Sequence, residues 1–575
     1  MNTNQRNLID TGNVKIGKMI SANQVDFPDA KEHLTQILSS FNFTDILITL
    51  ARINLFLQCS KDFSLTERIL QKNFCSRYLR DEIDWRGLRG DFIFNRQSTL
   101  HLLSESVHVS DPYSTRSPDT TDDAKIELAR CYLIANGFPN DESSDHETGS
   151  AEEKRKELLV ASIPFAAYPE NSAEPRRIKN PLVRSKEFLR CFQEDPSKFD
   201  INKTFHEATG LTPQDYQYLI YSIAAVYLTL SPEEILKGEG LFVDMKPSPA
   251  LAQLYEKLLP HVCISIDELR EEAKLDRFKN DFHLWRRYPL VKMGENQICC
   301  VDIGFLLDKL QTGVFWILRE HLKNDSKRKG VFEKLWGDVF TGYAASIIER
   351  GVNAQTSSVE KCIIEPKYIQ KTEAECTDIA VCGEDTLILL ECKSSVLTAS
   401  AKFSGNFGEF HDGIVPNAIK GIKQLADAIQ SLGTTNEAER RKVDGINIPS
   451  TKKIYPALVL FDRTFSSLDI NRFLNSEFQR IVKRDTLVEH LQIMPLTVLT
   501  IEDLELLEPY LSDTPFYVHL DKWIAQFAQS DSLLGFSAYL YSLIRRMPRK
   551  HSFMDQEFDR IAGDMRVKFD SWGLK

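Results

Sequence analysis

The stretch Thr377-Asp378-Ile379-Ala380-Val381-Cys382-Gly383-Glu384-Asp385-Thr386-Leu387-Ile388-Leu389-Leu390-Glu391-Cys392-Lys393 decides how the second half of the chain is read. Two apolar runs flank Gly383-Glu384-Asp385, a turn-forming trio, so the segment predicts a β-hairpin. Side chains alternate between the faces of a strand, which puts Glu391 and Lys393 on the same face. With Glu384-Asp385 as the tight turn, stepping outward brings Asp378 directly across from Glu391, with Cβ atoms about 5 Å apart. A register slipped by one residue would send Asp378 to the other face. Leu387-Ile388-Leu389-Leu390 is unbroken apolar sequence, as a central strand buried on both faces requires, and charge enters only at its end.

Two facing carboxylates repel, so a stable fold needs a reason to keep them. A hard divalent cation supplies one, because Mg²⁺ favours carboxylate and water oxygens. A lysine beside the pair can position a metal-bound water and offset charge developing on a phosphate. Asp378, Glu391 and Lys393 on one sheet face therefore assemble a candidate site for metal-assisted phosphodiester hydrolysis.

Working outward, further apolar runs at 454–461 and 496–500 read as strands, and 416–432 as a helix closed by Gly433. Ahead of the hairpin, Phe332, Leu335, Trp336, Val339, Phe340, Tyr343 and Ile347 recur at helical spacing. These elements predict a mixed α/β domain over 326–508. Residues 1–325 read as mainly helical, with two subdomains within reach of that length, and 509–575 as a helical tail. The whole is expected to be an α+β multidomain chain. Thr212-Pro213 and Ser231-Pro232-Glu233-Glu234 supply helix starts in the first region. The polar stretches 110–123 and 139–157 read as mobile loops.

Asp378…Glu391-Cys392-Lys393 resembles the catalytic signature of the PD-(D/E)xK nuclease superfamily, which includes restriction endonucleases and Mrr-like enzymes. Thr377 stands where the namesake proline would be. Gly330-Val331-Phe332-Glu333 resembles the opening of the helix whose glutamate often helps to bind metal in that family. Lys423-Gln424 is similar to the Lys/Gln position that supports the site in Mrr-like members. The resemblance covers about a third of the chain. It implies a restriction-endonuclease-like nuclease domain requiring Mg²⁺, with Mn²⁺ as substitute. Asp378, Glu391 and Glu333 would hold the metal, Lys393 would orient the attacking water and Gln424 would support the site. A nuclease with a long accessory region is similar to bacterial restriction and phage-defence proteins. That likeness implies a DNA endonuclease, a possible homo-oligomer, and a partner protein for any ATPase or trigger function.

Composition sets the frame. The chain has 575 residues, with 71 Lys and Arg against 82 Asp and Glu, for a net charge of −11. This acidic balance argues against bulk attraction to nucleic acid but not against a local basic patch. Lys327, Arg328 and Lys329 form the candidate phosphate contact, abutting the helix that would border the site. The clusters Arg176-Arg177-Ile178-Lys179 and Arg545-Arg546…Arg549-Lys550-His551 read as solvated surface. The apolar runs at 41–59 and 218–230 are interrupted or short, so both are expected to be core helices rather than membrane spans. Eleven cysteines without a C-x-x-C pair fit reduced thiols in a cytoplasmic protein.

Other signals carry less. Gly12-Asn13-Val14-Lys15-Ile16-Gly17-Lys18-Met19 follows a phosphate-loop pattern but ends in Met where Ser or Thr should reach Mg²⁺. His411 is assigned to a loop at 404–413, and Cys392 to the core face. Two rival readings stand beside the nuclease. One is a catalytically silent nucleic-acid-binding or scaffold protein with the same fold. The other is a helical interaction protein in which the spacing is accidental, which predicts Asp378 and Glu391 far apart.

Overall fold

The computed structural model describes residues 30–59, 63–74, 93–136, 150–167, 175–246, 248–274, 282–355, 359–369, 374–527 and 535–573, and in them the chain is a mixed α/β protein. The expected core helices form as Phe43–Cys59 and Pro213–Thr229. Thr212 caps the second by accepting from the Asp215 N–H, and Ser231 and Glu234 close a reciprocal capping box on Pro232–Lys237. Among the described residues no helix is long and apolar enough to cross a membrane.

The first region is not helical throughout. Strands β1 (Phe242–Asp244), β2 (Cys263–Ser265), β3 (Leu290–Lys292) and β4 (Gln297–Cys300) form a small sheet in the order β1-β4-β3-β2. Each has only three or four residues. That is too short for alternation to stand out from helical periodicity, which is why this sheet was not anticipated. The stretch 110–123 connects two helices, the second starting at Asp122, and is bonded to the elements beside it. The Asn42 side chain donates to Pro112 and Ser114 carbonyls, and Arg52 pairs with Asp119 at 2.6 Å. The second expected loop, 139–157, overlaps the helix Ala151–Ala167, whose first turn carries Glu152 and Glu153 where the helix dipole favours them. Residues 139–149 lie outside the described residues.

The second sheet gathers the predicted strands. β6 (Ile379–Cys382), β7 (Thr386–Lys393), β8 (Lys453–Leu460) and β10 (Thr497–Thr500) are joined by an edge strand β5 (Lys361–Ile364) and a two-residue β9 (Gln492–Ile493). The order is β10-β8-β7-β6-β5, with β9 beside β8; β7, β8 and β10 run parallel, while β5, β6 and β7 form an antiparallel meander.

Both faces of this sheet are buried, and strand alternation sorts its residues between two cores. Ile379, Val381, Ile388, Leu390, Cys392, Tyr455, Ala457 and Val459 pack with the long helix Ser326–Asn353 and the first region. Ala380, Leu387, Leu389, Ile454, Leu458 and Leu460 pack under the helices Lys420–Gly433 and Leu468–Ile481. The first core runs from Leu34 to Trp572 without a break at the expected boundaries near 325 and 508. Phe188 of the Pro175–Glu194 helix meets Trp336 edge-on at 5.2 Å, and buried Arg184 pairs with buried Glu505 at 2.6 Å. The tail packs into this same core through Met554, Ile561 and Met565.

Candidate active site at the end of the central strand

The hairpin adopts the predicted register: Ile379 pairs with Leu390, Ala380 with Leu389, Val381 with Ile388 and Cys382 with Leu387. The Gly383 N–H closes the turn on the Thr386 carbonyl at 2.8 Å, and a side chain at 383 would collide with the Thr386 hydroxyl. One step beyond the ladder, Asp378 faces Glu391. Here side chains take over from backbone pairing. The Thr377 hydroxyl donates to the Leu390 carbonyl at 2.7 Å, and Asp378 Oδ2 accepts from the Cys392 N–H at 2.6 Å.

Lys393 completes the group. Its Nζ donates to Glu391 Oε2 at 2.9 Å and to the Cys392 carbonyl at 3.1 Å, and lies 3.9 Å from Asp378 Oδ2. The separation that an accidental match predicts is therefore absent. Glu391 is 2% exposed. Burial, and after it the Asp378 carboxylate, push its carboxyl up to about 7 against the pull of Lys393. Cys392 points to the opposite face, as expected, with burial pushing its thiol well up.

The helix Lys420–Gly433 brings the second layer onto this face. A Cβ at Gly421 would lie 3.4 Å from Lys393 Cε and 2.5 Å from Leu458 Cδ1, so glycine is what allows the helix to approach the lysine stem. Gln424 stands exposed one turn later, with Lys423 beside it. The expected loop around His411 is instead the helix Phe407–Ile414. It runs through a wide turn at Val415–Ile419 into Lys420–Gly433, and Pro416, lacking an N–H, sits at the irregularity. Gly433 ends that helix as its last residue, packed on Leu491, rather than as a left-handed cap.

Glu333 is not brought to the pair. The long helix begins at Ser326, with Asp325 as its cap, so Lys327, Arg328 and Lys329 occupy its first turn rather than a flanking loop. It packs on the face opposite Glu391 and Lys393, where its Gly337 lies near Ser394. Glu333 pairs with Arg319 at 3.1 Å and Lys329 at 3.9 Å, while Arg328 bonds Thr204 and Glu207. Among the described residues no three His, Cys, Asp or Glu side chains come together as a metal cluster. Two carboxylates without a thiolate or imidazole still fit a hard cation, since Mg²⁺ is commonly held by one or two carboxylates with waters and phosphate oxygens. Glu391, buried and set against Asp378, is the observation that favours that fit.

Three contributors were missed in the sequence. Glu365 adopts a left-handed conformation, φ 48°, and its N–H donates to the Asp378 carbonyl at 2.9 Å, fixing that backbone. Buried Asp462, just past the end of β8, accepts from the Leu397 N–H at 2.9 Å and pairs with buried Lys402 at 2.7 Å. The chain leaving Lys393 is thereby tied down. Only Gly421 left a signal, as a glycine inside an otherwise regular helical pattern.

Residues 12–19 are outside the described residues. Lys179 pairs with Asp555, Arg549 with Asp513, and His551 stands 3.4 Å from Glu508. No protein-family model, curated protein or solved structure matches this chain.

Proposed function

We propose that the chain is a metal-dependent nuclease that hydrolyses phosphodiester bonds, with DNA as its substrate. The observation that carries this reading is the buried Glu391 carboxyl facing Asp378, with the Lys393 ammonium 2.9 Å from one and 3.9 Å from the other. Asp378 and Glu391 would hold Mg²⁺ or Mn²⁺. When bound, that ion supplies Lewis-acid polarisation of the phosphate and a water of lowered pKa. The chain's own groups then orient and stabilise. The Cys392 N–H fixes the Asp378 carboxylate. Lys393 commits two of its three donors to Glu391 and the Cys392 carbonyl, leaving one for a water or phosphate oxygen. Gln424, exposed on the neighbouring helix, would support the site. The first region would recognise or regulate, in keeping with a role in cleaving foreign DNA.

Cleavage of supercoiled plasmid, linear duplex, single-stranded DNA and RNA, with Mg²⁺ or Mn²⁺, tests this directly. Wild type is expected to cut DNA only with metal, and Lys393→Ala and Asp378→Ala to lose roughly 10²-fold or more of the rate. Cutting by either variant at the wild-type rate would refute the assignment. A wild type that binds nucleic acid and metal without turnover would support the silent nucleic-acid-binding alternative instead.

A further inference from the structure

On the same sheet face as the carboxylate pair, at the far end of the Lys420–Gly433 helix, lies a cavity of about 460 Å³. Its walls include Tyr368, Gln430, Ser431, Thr434, Glu439 and Arg441. Three chain segments are tied together to form it. The Arg441 N–H donates to the Ser431 carbonyl at 2.8 Å, Arg440 Nε donates to the Thr434 carbonyl at 2.9 Å, and Tyr368 bridges to Val443. Arg441 lays its guanidinium over the Tyr368 ring, 5.0 Å from the centroid, and among the described residues no carboxylate forms an ion pair with it.

This lining has a specific chemistry. A guanidinium stacked on an aromatic ring keeps its edge donors available, and their fork matches a phosphate. The guanidinium plane turned away from Tyr368 is a surface on which a base can stack. The Ser431 and Thr434 hydroxyls can donate or accept, and Glu439 can accept from an exocyclic amine. The volume falls in the range of small-ligand pockets. We infer that this cavity is a nucleotide-binding subsite, taking one nucleoside monophosphate unit with its phosphate on Arg441 and its base edge against Ser431, Thr434 and Glu439.

The unit could come from a free nucleotide or from a strand engaged at the nuclease site, and only the second source rests on the nuclease reading. Gly421, against Lys393, and Ser431, in the cavity wall, are ten residues apart on one helix, a rise of about 15 Å. At about 3.4 Å per step of a duplex strand, that span reaches roughly four nucleotides from the scissile phosphate. The cavity also connects to the catalytic pair through the chain. The Tyr368 hydroxyl interacts with the side chains of Ser431 and Cys376, and Cys376 precedes Thr377, which hydrogen-bonds the Leu390 carbonyl beside Glu391.

Binding without cleavage separates this inference from the nuclease reading. The full chain is titrated in EDTA with each deoxynucleoside 5′-monophosphate and with a labelled single-stranded DNA, using wild type, Arg441→Ala and Ser431→Ala. Circular dichroism confirms folding. If the source is a free nucleotide, monophosphates bind wild type and Arg441→Ala binds them roughly tenfold or more weakly, the loss expected for a charge-assisted hydrogen bond. If it is a strand, only the DNA binds and Arg441→Ala weakens it by a similar factor. Ser431→Ala, a smaller truncation, is expected to weaken the same ligand a few-fold, and keeps the test open should Arg441→Ala fail to fold. Wild type binding neither ligand, or both folded variants binding as wild type does, overturns the inference, whatever the cleavage assay gives.

Discussion

Glu67 and Glu391 are both nearly sealed from water, at 5% and 2% exposure. Burial drives both carboxyls up to about 7. Their surroundings differ. Glu67 accepts from the Ile93 and Phe94 N–H groups and from Gln71, all neutral donors that pin one chain segment to another. Glu391 faces a second carboxylate and is bonded to a lysine. Burial alone makes a titrating carboxyl, which structural residues also have; the added carboxylate and cation are what make Glu391 a candidate for chemistry. Substituting each in turn should split the two roles. Glu391→Gln is expected to lower metal-dependent cleavage roughly 10²-fold or more, while its melting temperature changes little, because the amide oxygen can still accept from Lys393 and the repulsion with Asp378 is gone. Glu67→Gln is expected to leave the rate per folded molecule unchanged. Equal loss of cleavage in both, or a folded Glu391→Gln with full activity, would erase the distinction.

The same pair sharpens on pH. Glu67 has a folded pKa of about 7 against an ordinary value of 4.5, so the folded state holds a proton that the unfolded chain has released. The unfolded state then binds fewer protons between those values, and stability falls as pH rises through that window. The loss expected from Glu67 by pH 8 is on the order of 3 kcal/mol. Urea unfolding of wild type and Glu67→Gln at pH 5 and pH 8, without metal, measures it. The variant should show a shallower decline, and parallel declines in the two proteins would show that Glu67 is not the group responsible.

Strand period and turn chemistry are what made the hairpin legible. Cys382 could pair with Leu387 only across a two-residue turn, and once that was set, Asp378 had to meet Glu391. The cap at Thr212 and the capping box at Ser231 were readable for the same reason, since each signal lies within four residues of its effect. What failed was long-range. Nothing local says that the helix carrying Glu333 packs on the face away from Glu391, or that Arg319 and Lys329 take that glutamate for themselves. The contacts of Asp462 with Leu397 and Lys402 join residues some 60 positions apart, beyond the reach of any periodicity. The small β1–β4 sheet escaped because its strands are too short to show a period.

Gly421 tests whether the neighbouring helix merely covers the sheet or also sets the lysine. A methyl group there meets Leu458 Cδ1 at 2.5 Å and the Lys393 stem at 3.4 to 3.5 Å. Leu458 belongs to the core and Lys393 to the site, so one substitution presses on both. Overpacking against Leu458 is expected to cost about 1–3 kcal/mol. Displacing the Lys393 stem should lower kcat about tenfold, since a small misplacement of an orienting group is felt in the rate. Gln424→Ala, one turn on and exposed, removes no packing, and is expected to change KM a few-fold with little effect on melting. If Gly421→Ala lost stability but kept wild-type kcat, the helix would be a cover, and the geometry of Lys393 would be set by β7 and its bonds to Glu391 and the Cys392 carbonyl.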